Sequence, residues 1–119
     1  MEEKSTGRAE QRLEQAAKAM QNGKYLFQLY VSGITPKSLR AIENAKALCE
    51  EYLKGRYELQ VIDVYQHPDL AREDQIVAAP TLIKKLPLPL RRFIGDLSDE
   101  EHILLRLNLI SEKPEANLS

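Results

Sequence analysis

The chain has 119 residues, 43% apolar and 29% charged, with seventeen Lys plus Arg against eighteen Asp plus Glu for a net charge of -1. That length allows one compact domain with tails, and the balanced charge excludes a molecule drawn as a whole onto nucleic acid or anionic lipid. A single cysteine, Cys49, excludes an intramolecular disulfide and a multi-thiolate metal site. With two histidines besides, metal chemistry has few ligands, and neither a metal nor a cofactor is expected. No apolar run reaches the roughly 18–20 residues of a membrane span, and 1–22 is too charged for a secretory leader. These readings point to a cytoplasmic protein with no membrane partner.

Residues 1–24 read as a charged extension with five basic and four acidic residues, in which Leu13 and Met20 are the only large hydrophobes after Met1. It cannot bury enough to fold alone. The Glu14/Lys18 pair and the alanine-rich run from Gln15 to Met20 suit an exposed helix, but one marginal in isolation, so the segment reads as a frayed extension, flexible or helical, that ends at Gly23. The folded domain is expected over 25–110, followed by a polar tail over 111–119 that carries Pro114.

Tyr25 to Val31 is β-rich and almost continuously apolar, as a central strand covered on both faces must be. Thr35-Pro36 then offers an N-cap and a first-turn proline, and apolar residues at Leu39, Ile42, Ala45, Cys49 and Tyr52 recur at helical spacing. Gly55 ends that helix, and Tyr57 to Tyr65 reads as a second strand, giving a right-handed βαβ unit. His67-Pro68-Asp69 opens a short helix running to about Val77. Ala79 to Lys85 is a third strand, Pro87 and Pro89 fill a turn, and Arg91 to Ile94 is a fourth strand. Gly95 breaks it, and Ser98-Asp99-Glu100-Glu101 forms a capping box for a last helix. The order βαβαββα is the thioredoxin-like α/β arrangement. One segment fits two templates: from His102 to Asn108, Ile103, Leu105 and Leu107 alternate as in a strand, while Ile103, Leu104, Leu107 and Ile110 form a helical stripe.

Dithiol chemistry needs cysteines at the turn after the first strand, where a helix N-terminus lowers the thiol pKa. That turn reads Ser32-Gly33-Ile34-Thr35-Pro36, so this reaction is absent, and Cys49 reads as a small buried hydrophobe. Pro80 at the entrance of the third strand admits two readings, an ordinary trans proline or a cis proline beside a peptide- or glutathione-binding groove. His67 with Asp63 and Asp69 reads as a helix cap rather than a ligand cluster, and His102 as solvated. Between Thr81 and Arg92 stand Lys84, Lys85, Arg91 and Arg92 without an acid, whereas Asp96, Asp99, Glu100 and Glu101 follow without a base. The two readings are a pair of solvated faces and a docking surface for a protein partner; nucleic acid is disfavoured by the net charge.

The segments Leu29 to Ser38, Val61 to Val64 with Pro68, Glu73 to Leu82, and Leu86 to Ser98 together resemble the circadian clock protein KaiB family, in one register from about Tyr25 to Leu109. The resemblance implies a non-enzymatic adaptor that binds the N-terminal ATPase ring of a KaiC-type protein, with KaiA-type proteins and clock histidine kinases as further partners. It also implies self-association as dimer or tetramer and a switch between the thioredoxin-like order and an alternative βαββααβ ground state. The family's contact positions fall on Arg40, Lys84, Arg91 and Arg92, with Asp96 supporting the turn and Lys85 joining them in the basic hairpin. The switching segment falls on Pro80, Leu88, Pro89, Leu104, Arg106 and Asn108. Two departures matter. Glu58 and Gln60 stand where clock members carry a small residue and a lysine, which weakens the expectation of a KaiA-type partner. Arg106 occupies a glycine position, which favours helix there by about 0.8–1 kcal/mol and tilts this chain toward the thioredoxin-like state. A stress-signalling role is as compatible with these departures as a clock role, and a glutathione- or peptide-binding domain without dithiol activity is the alternative.

Overall fold

The computed structural model describes residues 23–110. The expected tail over 111–119 and most of the expected N-terminal extension lie outside the described residues. The elements are β1 (Tyr25–Val31), α1 (Pro36–Tyr52), β2 (Tyr57–Asp63), α2 (Pro68–Glu73), β3 (Thr81–Leu86), β4 (Arg91–Ile94) and α3 (Glu100–Arg106). They form one four-stranded sheet in the order β2-β1-β3-β4, with β1 parallel to β2 and antiparallel to β3, and β3 antiparallel to β4. This is the thioredoxin-like order.

Each strand's alternation assigns its side chains to one of two layers. One face of the sheet sets Phe27, Leu29, Val31, Leu82 and Phe93 against Ala41, Ala45, Leu48 and Cys49 of α1 and Ile103, Leu104 and Leu107 of the α3 region. The other buries Tyr30, Ile62 and Ile83 beneath Leu70 and Ala71 of α2 and the following Ile76. β1 lies between the layers, and only Tyr25 along it is not fully buried. That accounts for its nearly unbroken apolar sequence.

Thr35 caps α1 as expected, its Oγ1 accepting the Ser38 N–H at 3.1 Å. The inward stripe is rotated from the expected one, however. Ser38, Ala41, Ala45, Leu48 and Cys49 are buried, whereas Leu39 is 45% exposed. Alanines at positions 41 and 45 let the helix axis lie close to the sheet, and small residues are invisible to a search for large hydrophobes.

Four elements differ from the expectation at their boundaries, and β3 also runs one residue further, to Leu86. β2 ends at Asp63 rather than Tyr65, because Asp63 Oδ1 takes the Tyr65 N–H at 2.9 Å and its carbonyl takes the His67 N–H at 2.9 Å, closing a turn. α2 ends at Glu73 rather than Val77. Gln75 adopts φ 55, its N–H bonding Arg72 O at 3.0 Å and the Ile76 N–H bonding Ala71 O at 2.9 Å, the paired bonds of a left-handed helix stop. β3 begins at Thr81 rather than Ala79, and Thr81 Oγ1 donates to Ala78 O at 2.6 Å. α3 is capped by Asp99, whose Oδ1 takes the His102 N–H at 3.3 Å, rather than by Ser98. Ser98 instead gives its N–H to Asp96 Oδ1 at 3.1 Å.

The ambiguous 102–108 segment is helical through Arg106. Leu107 follows as the C-cap and Asn108 at φ 61 as the stop, with Asn108 N–H to Leu105 O at 3.1 Å and Leu109 N–H to Leu104 O at 2.9 Å. The peptide bonds preceding Pro80, Pro87 and Pro89 are cis.

Candidate docking surface

Strand alternation divides the basic hairpin that is continuous in sequence. Lys84 pairs in register with Arg91, and Ile83 with Arg92, so Lys84 and Arg91 share the α1/α3 face while Lys85 and Arg92 fall on the α2 face. Lys84, one of the expected contacts, is only 4% exposed, and its Nζ lies 5.9 Å from the centre of the Tyr25 ring. Burial, and then the Arg91 charge, lower its pKa. Arg91 is half-buried, and its Nε is enclosed without a hydrogen-bond partner.

On the α2 face both bases turn onto Asp74, a residue the sequence reading passed over. Asp74 Oδ1 pairs with Lys85 Nζ at 2.6 Å, Asp74 O accepts from Arg92 at 2.5 Å, and Asp74 Oδ2 accepts from the Tyr30 hydroxyl. Asp74 is itself buried. One acid thereby ties the end of α2 to β1, β3 and β4. The only sequence signal for it is an acid beside a helix stop, opposite two bases brought near by the fold.

Arg40 lies apart from both pairs. Its Nε is 3.3 Å from Asp96 Oδ2, and its side chain is 56% exposed. Asn44 Nδ2 also donates to Asp96 O at 2.7 Å, so α1 holds the loop between β4 and α3 at two points. Hydrogen bonds from Ser98, and then from Arg40, hold the Asp96 carboxyl below the usual carboxylate range. Leu97 beside it is drawn into the core at φ 67, a backbone region unfavourable for leucine. The expected contact residues therefore occupy three places: Lys84 with Arg91, Lys85 with Arg92, and Arg40 with Asp96.

The expected switching residues divide as well. Pro80 and Leu104 are buried, Leu88 and Pro89 are exposed at the hairpin tip, and exposed Arg106 places its guanidinium 5.4 Å from the Phe93 ring centre. Asn108 is the helix stop. At the opposite end of the sheet, Tyr65 and Val77, 75% and 89% exposed, border an open recess of about 260 Å³ that Ser32, Val64, Ile76, Ala78 and Ala79 complete. Ile34 on the neighbouring turn is 86% exposed. Sequence reasoning missed this apolar end, because it placed Tyr65 in a strand and Val77 in a helix.

His67 occupies the α2 N-cap position without a side-chain capping bond, and so does not cap in the expected way. Burial, with help from the Glu50 charge, pushes the Cys49 thiol up to about 12. Among the described residues, no helix is long and apolar enough to cross a membrane.

The family model described as the KaiB domain matches residues 28–109. The chain belongs to the KaiB family. It is 54% identical over 86 residues to the circadian clock oscillator protein KaiB of Synechococcus elongatus, covering 72% of this chain and 84% of that protein. To the protein of the same name from Microcystis aeruginosa it is 52% identical over 89 residues, covering 75% and 86%. Among solved structures, the N-terminal domain of Synechococcus elongatus SasA is similar at a TM-score of 0.60 and 26% identity, covering 75% of this chain and 88% of that one. Chloroplastic thioredoxin z shares the fold at a TM-score of 0.64 and 22% identity, covering 83% and 88%. The KaiB match begins at Gln28, inside β1, and ends at Leu109, so it takes in the Asp74 and Asp96 contacts described above.

Proposed function

We propose that this protein is a non-enzymatic KaiB-like adaptor of the cytoplasm that docks on the N-terminal ATPase ring of a KaiC-type protein and acts in clock or stress signalling. The observation that supports this most is the pairing of KaiB sequence over 28–109 with the thioredoxin-like strand order β2-β1-β3-β4, the arrangement that the family resemblance associates with ring binding. Arg40, Arg91 and Asp96 are the contacts proposed to remain reachable. Lys85 and Arg92 act through Asp74 by holding β3 and β4, and Lys84 acts from beneath the surface. The change between two chain orders belongs to this proposal, with Pro80, Leu88, Pro89, Leu104, Arg106 and Asn108 in the segment that changes. So does self-association of the alternative state as dimer or tetramer. KaiA-type proteins and clock histidine kinases are secondary partners.

Gel filtration of this protein with the KaiC-type ATPase of the same genome, in ATP and in ADP, tests the reading. Co-elution with the hexameric ring is the expected outcome, reduced in Arg40→Glu. No co-elution after hours of incubation overturns it. The recess between Ser32 and Ala79 favours a second reading, a glutathione- or peptide-binding domain without dithiol activity. Retention on glutathione resin, competed by free glutathione, would select that reading.

A further inference from the structure

The β3–β4 hairpin carries four bases, and the two faces of the sheet treat them differently. On the α2 face Lys85 and Arg92 both bond to Asp74. On the α1/α3 face Lys84 and Arg91 stand directly opposite one another in the β3–β4 register, and among the described residues neither forms an ion pair. Like charges set opposite one another on a sheet repel. Arg91 Nε is buried without an acceptor, although a buried donor ordinarily finds one. Lys84 is buried too, and its neighbour in register on β1 is the fully buried Phe27. The Tyr25 ring near its ammonium offers a π-face but no full counter-charge.

A buried cation is ordinarily paired, because taking it out of water without a counter-charge is costly. Lysine can meet that cost by giving up its proton, and burial together with the Arg91 charge pushes Lys84 in that direction. Arginine cannot, since its guanidinium stays protonated. The pair therefore keeps at least one uncompensated positive charge and one unanswered N–H. Arg91 and Tyr25 are half-buried rather than covered, so each keeps a side in contact with solvent. What completes such a pair is a compact anion with several acceptor oxygens. Phosphate and carboxylate groups have that chemistry, accepting from guanidinium and ammonium in short charge-assisted bonds.

We propose that Lys84 and Arg91 form a binding site for one small oxyanion, of phosphate or carboxylate type, taken from solution on the α1/α3 face of the β3–β4 hairpin. The anion bridges the two bases and accepts from Arg91 Nε. The hairpin register is what brings the bases together, so the anion binds only chains in which β3 and β4 pair in this way, and it stabilises that pairing. No ring partner is involved, and the site stands apart from the proposed adaptor role.

Urea titration of the full chain in increasing inorganic phosphate, and separately in increasing acetate, each against sodium chloride of matched ionic strength, tests the site. The folding equilibrium constant should rise saturably with at least one of the two, about tenfold once the anion reaches roughly ten times its Kd, and the anion that acts identifies the chemistry. Excluded phosphate also stabilises proteins in general, but without saturation and without need of these two residues. Lys84→Met and Arg91→Met, each folded in chloride, are expected to lose the saturable rise. Arg40→Met, which removes an exposed cation paired with Asp96, should keep it. Isothermal titration calorimetry on the native protein should give one site per chain, absent in Lys84→Met. No saturable rise with either anion overturns the proposal, as does a rise that persists in Lys84→Met and Arg91→Met or one that is lost equally in Arg40→Met.

Discussion

Gln75 and Asn108 do the same work at two places, stopping a helix at positive φ so that the next apolar residue turns back onto the core. Asn tolerates that region through its short polar side chain, whereas Gln has no such compensation. Gln75→Gly is therefore expected to raise stability by about 0.5–1 kcal/mol, and Asn108→Gly by less, measured as urea midpoints; a loss in Gln75→Gly would show that its side chain is needed. Cys49 is settled by burial. With its thiol pushed up to about 12 and the residue 2% exposed, a thiol reagent should modify it only after unfolding, and stoichiometric labelling of the native protein would contradict that. Asp96 sets a pH dependence. Its folded-state pKa lies below the ordinary value, so its contribution is fully present above the ordinary carboxylate range and is lost as pH falls through the lowered value. Asp96→Asn should make the acid side of a stability-versus-pH curve shallower, and an unchanged slope would assign the Ser98 and Arg40 contacts no role.

The third helix shows how residue effects become element effects. Its seven residues are too few to persist alone, so it exists through Ile103, Leu104 and Leu107 in the core and Arg106 over Phe93. Arg106→Gly removes about 0.8–1 kcal/mol of helix preference and a cation–π contact of about 0.5–1 kcal/mol. A loss of roughly 1.5–2 kcal/mol is expected by denaturant titration, with Arg106→Lys recovering most of it. A loss below about 0.5 kcal/mol would mean the helix is held by its leucines alone. The same element explains what was legible beforehand. Strands and helices appeared in the right order because Gly55, Pro36 and Gly95 punctuate the chain, and β1 was recognisable from an apolar run that only Gln28 interrupts. The state of 102–108 was not legible, because leucines satisfy both periods and the capping box only favours one; the choice comes from Phe93 and α1, which are distant in sequence. The helix stops at Gln75 and Asn108 were missed because neither residue is glycine. The basic hairpin was visible as composition, but its division between two faces requires the Lys84–Arg91 register.

At the scale of the whole molecule, Asp74 adds side-chain bonds to the β1–β3 pairing that joins the two halves of the chain. It joins Tyr30 on the first strand to Lys85 and Arg92 on the last two, so an alternative order of the second half must break all three bonds together. Removing the carboxylate leaves a mostly buried ammonium without its acceptor and takes from the Tyr30 hydroxyl the shorter of its bonds, the Leu70 carbonyl standing at 3.3 Å, and breaking one side of such a pair costs about 3–5 kcal/mol. Removing Lys85 leaves the Asp74 carboxylate with the bond from the Tyr30 hydroxyl, and costs less. Asp74→Ala is therefore expected to destabilise the thioredoxin-like order by about 3 kcal/mol, and Lys85→Met by about 1 kcal/mol. Lys84→Met should act in the opposite sense, because it removes a buried charge that the fold holds beside Arg91. The stability deficit of Lys84 is present at neutral pH and shrinks as pH rises from its lowered folded-state pKa toward the ordinary lysine value, so the gain from Lys84→Met should fade in that window. Urea midpoints read all three variants, and chemical shifts over 100–110 show whether destabilised molecules unfold or change order. If Asp74→Ala and Lys85→Met fall equally, the ion pair alone carries the carboxylate's contribution and the Tyr30 bond is incidental; if Asp74→Ala alone falls, the carboxylate holds the thioredoxin-like order through Tyr30.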